Sequence, residues 1–158
     1  RAGWSRVGQP AHVVISGRNA RRTLFGALNV TTGDLVCLPL LRCRTDEVVA
    51  AMTALGQVRP GVPKLLNWDN APPHHPHRVR EAATEAGITL AFLPFRSPEL
   101  MPSEELWRGL KHTVAANRCY TSLEELVARA LAWLTAMTDA ERRRRCGLLS
   151  STFQWLPT

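Results

Sequence analysis

The sequence predicts an α/β fold, a mixed sheet with helices on its faces. Two apolar, β-prone runs at residues 23–30 and 35–40 flank a Gly-containing turn, the signature of an antiparallel hairpin. Two further apolar runs, 64–68 and 88–92, alternate with segments of helical periodicity. Everything after Pro102 reads as helix. Antiparallel strands followed by a β-α-β-α order imply a mixed sheet with helices packed on it.

Taken in order, residues 13–15 (Val-Val-Ile) form a short β-branched strand, and 18–22 a basic turn. With the hairpin they make a meander of three antiparallel strands. Thr45 can cap the next helix, with Asp46 and Glu47 in its first turn. Val48, Val49, Met52 and Leu55 recur at helical spacing, and Gly56 closes the helix. Residues 59–63 connect to a buried strand, 64–68, that ends at Asp69. Pro76 opens a helix with Val79, Ala82, Ala83 and Ala86 on one face, and Gly87 stops it. The strand 88–92 is halted by Pro94. Leu106, Trp107, Leu110 and Val114 mark the following helix. Thr121 to Glu124 reads as a capping box for a helix carrying Leu126, Ala130 and Leu134. Thr138 to Glu141 is a second box, leading into Arg142, Arg143, Arg144 and Arg145.

The 158 residues suit one domain with a real core, and no apolar stretch approaches the roughly 20 residues that span a bilayer. Formal net charge is +7, and all but two of the 20 basic residues are arginine. Arginine's planar fork suits phosphate oxygens, so a nucleic acid is a natural partner; a codon bias towards Arg and Ala produces the same composition. The four cysteines form no C-x-x-C pair and read as buried free thiols of a reducing cytoplasm.

Two acids stand out. Asp69 follows a buried apolar run, where a carboxylate must be solvated, hydrogen-bonded or metal-bound; a strand-ending Asx-turn with Asn70 and Pro72 accounts for it equally. Glu104 shares a helix start with Glu99 and Glu105, which can simply complement the helix dipole. Pro98 and Pro102 fix an extended approach and aim that helix's first turn. Sites in such sheets lie beyond the carboxyl ends of strands, where Asp69 falls. His74, His75 and His77 read as a solvated loop rather than a metal site. Arg142 to Arg145 offers a positive patch, and Trp68, Trp107, Trp133 and Trp155 read as core.

The blocks WDNAPPHH (68–75) and LPFRSPELMPSEELWRGLK (93–111) resemble the second and third catalytic blocks of DDE superfamily transposases. The group they are most similar to is the bacterial insertion-sequence transposases related to mariner elements. That group's blocks run roughly D-N-A-x-x-H and L-P-x-x-S-P-x-L-N-P-I-E-x-x-W-x-x-L-K, with 34 residues between the acids, the number that separates Asp69 from Glu104. The resemblance selects Glu104 over its neighbours and extends over most of the chain. It implies a ribonuclease-H-like fold and two-metal phosphoryl transfer with Mg²⁺ or Mn²⁺. Asp69 and Glu104 would hold metal, Asn70 and His74 would orient the second-block loop, and Arg96, Lys111 and Arg142 to Arg145 would meet DNA. It further implies a homodimer in the full-length protein and helix-turn-helix units upstream. The family's leading Asp belongs to a strand upstream of Trp4, so the expectation is one catalytic domain, 1–158, truncated at its N-terminus and without its first, central strand. Met101 and Ser103 depart from the usual Asn and Ile and are expected to loosen the loop that positions Glu104.

The reading is therefore a transposase catalytic domain, cytoplasmic and nucleoid-associated, that cuts DNA at insertion-sequence ends and joins strands. The alternative is a non-catalytic DNA-binding remnant of such an element; a third reading is an unrelated nuclease of the same fold.

Overall fold

The computed structural model describes residues 6–9 and 20–150. The expected strand at 13–15 and Trp155 lie outside them. Strands β1 (Thr23–Leu28) and β2 (Leu35–Leu40) pair antiparallel, with Phe25 opposite Leu38 and Ala27 opposite Val36. Their turn is longer than expected and begins at Asn29, whose side-chain oxygen accepts from the Thr31 and Thr32 N–H groups at 3.0 and 3.1 Å. Gly33 completes it at φ +90°, a conformation that L side chains rarely adopt, and a Cβ there would overlap the Asp139 carbonyl.

Helix α1 (Thr45–Gln57) begins one residue earlier than Thr45 capping would require. Arg44 holds the cap position, and the Glu47 carboxylate accepts from the Arg42 and Arg44 N–H groups. Gly56 does not close the helix; it lies in the last turn, against Ala86. Strand β3 (Lys64–Trp68) follows, then α2 (His77–Glu85) and β4 (Ile88–Phe92), which runs parallel to β3. Helices α3 (Ser103–Leu110), α4 (Leu123–Ala136) and α5 (Asp139–Arg145) complete the described chain. The α4 cap is shifted by one from the expected box: Ser122 accepts from the Glu125 N–H, and Glu125 accepts from Thr121. The α5 box forms as expected between Thr138 and Glu141.

Among the described residues the strands form two separate two-stranded sheets. No described strand bridges them. One expectation fails here. β3 is not buried throughout: Leu65 is 65% exposed and Asn67 is exposed, while Leu66 and Trp68 face inward. Alternate residues of β3 point to opposite faces, and the face carrying Leu65 and Asn67 is left uncovered.

The hairpin is the wall between two cores. Phe25, Ala27, Val36 and Leu38 face α1, α2, β3 and β4, around Met52, Val79 and Trp68. The edge of Phe25 meets the Trp68 ring at a centroid distance of 6.2 Å. Leu24, Leu35 and Cys37, on the other hairpin face, pack with Trp107, Leu110, Val114 and Leu134. Period-two alternation serves both cores from one ribbon. Gly26 lies on the second face, and a Cβ there would overlap the six-membered ring of Trp107. The missing side chain is what lets α3 lie down on the hairpin.

Two of the expected buried thiols are not buried. Cys43 and Cys119 are exposed, Cys37 is half-buried and Cys146 buried. Burial pushes the thiols of Cys37 and Cys146 up to about 11. Arg142 is also displaced from its expected place on a positive surface. It is buried, and donates to the carbonyls of Leu134 at 3.2 Å and Gly33 at 3.2 Å and to Asp139 at 2.5 Å, tying α5 to α4 and to the hairpin turn.

Two stability outcomes follow. Gly26→Ala should lower the unfolding free energy by about 1–3 kcal/mol through overpacking, and adding Trp107→Leu should recover part of that loss. Arg142→Ala should cost on the order of 1–3 kcal/mol through unpaired carbonyls, whereas exposed Arg144→Ala should stay within about 0.5 kcal/mol. Urea titration of the four variants measures both.

Candidate active site

The site grows from the carboxyl ends of β3 and β4. Parallel pairing sets Trp68 beside Phe92. One more ladder bond, from the Leu93 N–H to the Trp68 carbonyl at 2.8 Å, carries the register past the strands. The Asn70 side-chain amide then donates to the Leu93 carbonyl. The loops after the two strands are thereby held side by side.

Asp69 leaves β3 in the Asx-turn its sequence suggests: its Oδ1 accepts from the Ala71 N–H at 3.1 Å. The same oxygen lies 2.7 Å from His74 Nδ1. His74 is buried, in the short 3₁₀ turn Pro72–His74, and stacks on Trp68 with ring centroids 3.7 Å apart. Burial holds the His74 pKa below its ordinary value, outweighing the opposite pull of Asp69. We therefore read the contact as a neutral imidazole donating its Nδ1–H to the carboxylate rather than as an ion pair, despite its ion-pair distance. Oδ2 of Asp69 has no partner among the described residues, and the carboxylate is 60% exposed.

Glu104 approaches from the other loop. Pro98–Leu100 forms a 3₁₀ turn, so the stretch between the two prolines is not extended as expected. The Met101 N–H bonds the Pro98 carbonyl and the Glu104 N–H bonds the Met101 carbonyl, each at 3.0 Å. The backbone bonds around Met101 and Ser103 are thus made with the departures from the family pattern in place. Trp107, one turn beyond Glu104, sits on Gly26 and fixes the direction of α3.

Asp69, Asn70, Arg96, Met101 and Glu104 line one cleft of about 250 Å³. Its carboxylate oxygens are hard donors of the kind that suit Mg²⁺ or Mn²⁺. Among the described residues no group of three or more His, Cys, Asp or Glu side chains could hold a metal ion, so the donors fit in kind and are two in number. His77 pairs with Glu81 and His75 stacks on Phe92, so the histidine cluster does not converge. A larger cavity of about 440 Å³ lies at the opposite ends of β3 and β4, beside Pro63 and Gly87; Glu85 is its one ionisable side chain.

A family model described as DDE superfamily endonuclease matches residues 1–127. The chain belongs to this family. Over 117 residues it is 29% identical to an uncharacterized protein of Sinorhizobium fredii, covering 73% of this chain and 84% of that one. The catalytic domain of Mos1 mariner transposase superposes with a TM-score of 0.70 at 19% identity, covering 88% of this chain and 74% of that domain. Mos1 transposase in a paired-end complex with the left transposon end gives 0.71 at 20% identity, covering 96% of this chain. This DDE family chain spans about half, 48%, of that transposase. Its fold is ribonuclease-H-like. No helix among its described residues is long and apolar enough to cross a membrane.

Of the expected DNA-facing residues, Arg96, Lys111, Arg144 and Arg145 are exposed and Arg143 is half-buried, while Arg142 is buried. The Arg145 guanidinium lies 5.2 Å from the centroid of the Trp133 ring. Sequence reading passed over Phe95, which is 79% exposed on the cleft wall. The signal was there: it follows Pro94, which stops β4, so it cannot belong to the sheet's core.

The His74 site gives a pH dependence with a definite sign. The unfolded imidazole takes up a proton near pH 6.5 while the folded one resists, so the unfolded state binds more protons and stability falls as pH drops below that value. His74→Gln should flatten the fall between about pH 6.5 and 5, as read from urea midpoints at three pH values.

Proposed function

We propose that the chain is the catalytic domain of an insertion-sequence transposase, which cleaves DNA at the element's ends and transfers the strands with a divalent metal. The observation that carries the reading is the meeting of Asp69 and Glu104 in one cleft beyond the carboxyl ends of the strands. Membership of an endonuclease family and the mariner-like fold support it.

Asp69 and Glu104 would hold the metal, which when bound activates the attacking hydroxyl and stabilises the leaving oxygen. Asp69 is prepared for this by its two hydrogen bonds. Both fall on Oδ1, which leaves Oδ2 to serve as the ligating atom. His74, neutral and wedged on Trp68, keeps that carboxylate from rotating without adding a positive charge. Asn70 holds the Glu104-bearing loop at its base. A third carboxylate, from the family's leading strand, completes the set in this reading. In the cell the domain would act at the nucleoid as part of a dimer.

The decisive assay is nicking of supercoiled plasmid in Mg²⁺ or Mn²⁺. The 158-residue chain alone should be silent, and the chain preceded by an Asp-bearing strand should nick. In the latter, Asp69→Asn or Glu104→Gln should cost more than the roughly 10–100-fold typical of an outer-shell metal partner, with circular dichroism unchanged. Nicking that survives both substitutions overturns the assignment of Asp69 and Glu104; no nicking even with the Asp-bearing strand in place favours a DNA-binding remnant.

A further inference from the structure

The third-block loop carries two features that the chemistry of Asp69 and Glu104 does not use. Phe95 is 79% exposed although it is a large aromatic on the wall of the cleft. Arg96, its neighbour, is exposed and has φ +57°, a left-handed conformation that is costly for a residue with a Cβ. Its guanidinium forms no hydrogen bond or ion pair with any described residue. Neither feature serves the fold. The loop around them is held from outside: Asn70 bonds the Leu93 carbonyl, the Met101 N–H bonds Pro98, and prolines 94 and 98 flank the pair. The strained backbone therefore persists because its surroundings impose it, and the result is a flat ring and a planar cation presented together beside Asp69 and Glu104.

We propose that Phe95 and Arg96 seat DNA in the cleft: the ring stacks on an unpaired base next to the phosphodiester to be cut, and the guanidinium holds the adjoining phosphate. The inference rests on the transposase reading and extends it, because it assigns the cleft a strand with an unstacked base rather than an intact duplex. An exposed aromatic face binds any base without regard to sequence, and Arg is the side chain suited to two phosphate oxygens at once. The distribution of charge agrees. The chain carries +7, and the cleft adds one unpaired arginine beside its two acids.

The test is binding without catalysis, with the 158-residue chain in EDTA and a duplex oligonucleotide carrying one unpaired 2-aminopurine. The parent should quench the probe. Phe95→Ala should abolish the quenching and weaken binding about tenfold, while Phe95→Trp should retain both. Arg96→Gly should reduce the slope of log affinity against log salt by about one and leave the melting temperature equal or higher, since glycine accepts the left-handed backbone. A parent that does not quench, or Phe95→Ala that quenches like the parent, overturns the stacking. An unchanged salt slope in Arg96→Gly overturns the phosphate contact. Because no metal is present, these outcomes do not depend on Asp69 and Glu104. Their failure in a protein whose nicking requires both acids would sink this inference alone.

Discussion

The parallel pairing of β3 with β4 is the constraint from which the site descends. It is short, and it would end at Phe92 without the added bond from the Leu93 N–H to Trp68 and the Asn70 amide that bonds the Leu93 carbonyl. Those two contacts bring together loops far apart in sequence at the one place where an acid ends each approach. Remove the register and Asp69 and Glu104 become two unrelated surface carboxylates.

A second contact governs the direction from which Glu104 arrives. Helix α3 has few backbone ties to the sheet, and its orientation is taken from Trp107 lying over Gly26. The hairpin thus does more than pack two cores. It carries a bare patch of backbone that serves as a seat for the helix one turn past the glutamate. Arg142 works in the same sense at the other end, where it closes α5 onto the hairpin turn through the Gly33 carbonyl. What looked like the head of a positive run is a buried tether, and the surface charge is carried by its neighbours.

β3 is open both on one face and along one edge among the described residues. Alternate side chains of β3 point to opposite faces, and Leu65, at 65% exposure, lies on the uncovered one, while the strand has a described partner, β4, on one edge only. Such edges favour pairing with another chain. The ribonuclease-H-like fold is recognisable nonetheless, because the hairpin and the β3–β4 pair are tied through side chains, Phe25 against Trp68, rather than through backbone hydrogen bonds.

Local chemistry was legible in the sequence. Turn residues, helical periodicity, the Thr138–Glu141 box and the Asx-turn at Asp69 all follow from interactions within a few residues, which is why they could be read directly. The misplacements at Thr45 and the Thr121 box are one-residue shifts, since neighbouring polar groups compete for the same N–H donors, and the helix end expected at Gly56 lies two residues further on, at Val58. The block spacing singled out Glu104 among three acids through family pattern, not through any physics of the residue itself. What only the tertiary structure decided depends on distant partners. Arg142 is buried because Gly33 and Leu134 offer carbonyls, burial lowers the pKa of His74, β3 is half-open because one of its faces is uncovered, and Phe95 is bare because the loop turns it away from both cores. Sequence determines which groups are present and how the nearest backbone is satisfied; burial and charge state are set by what the fold places across from them.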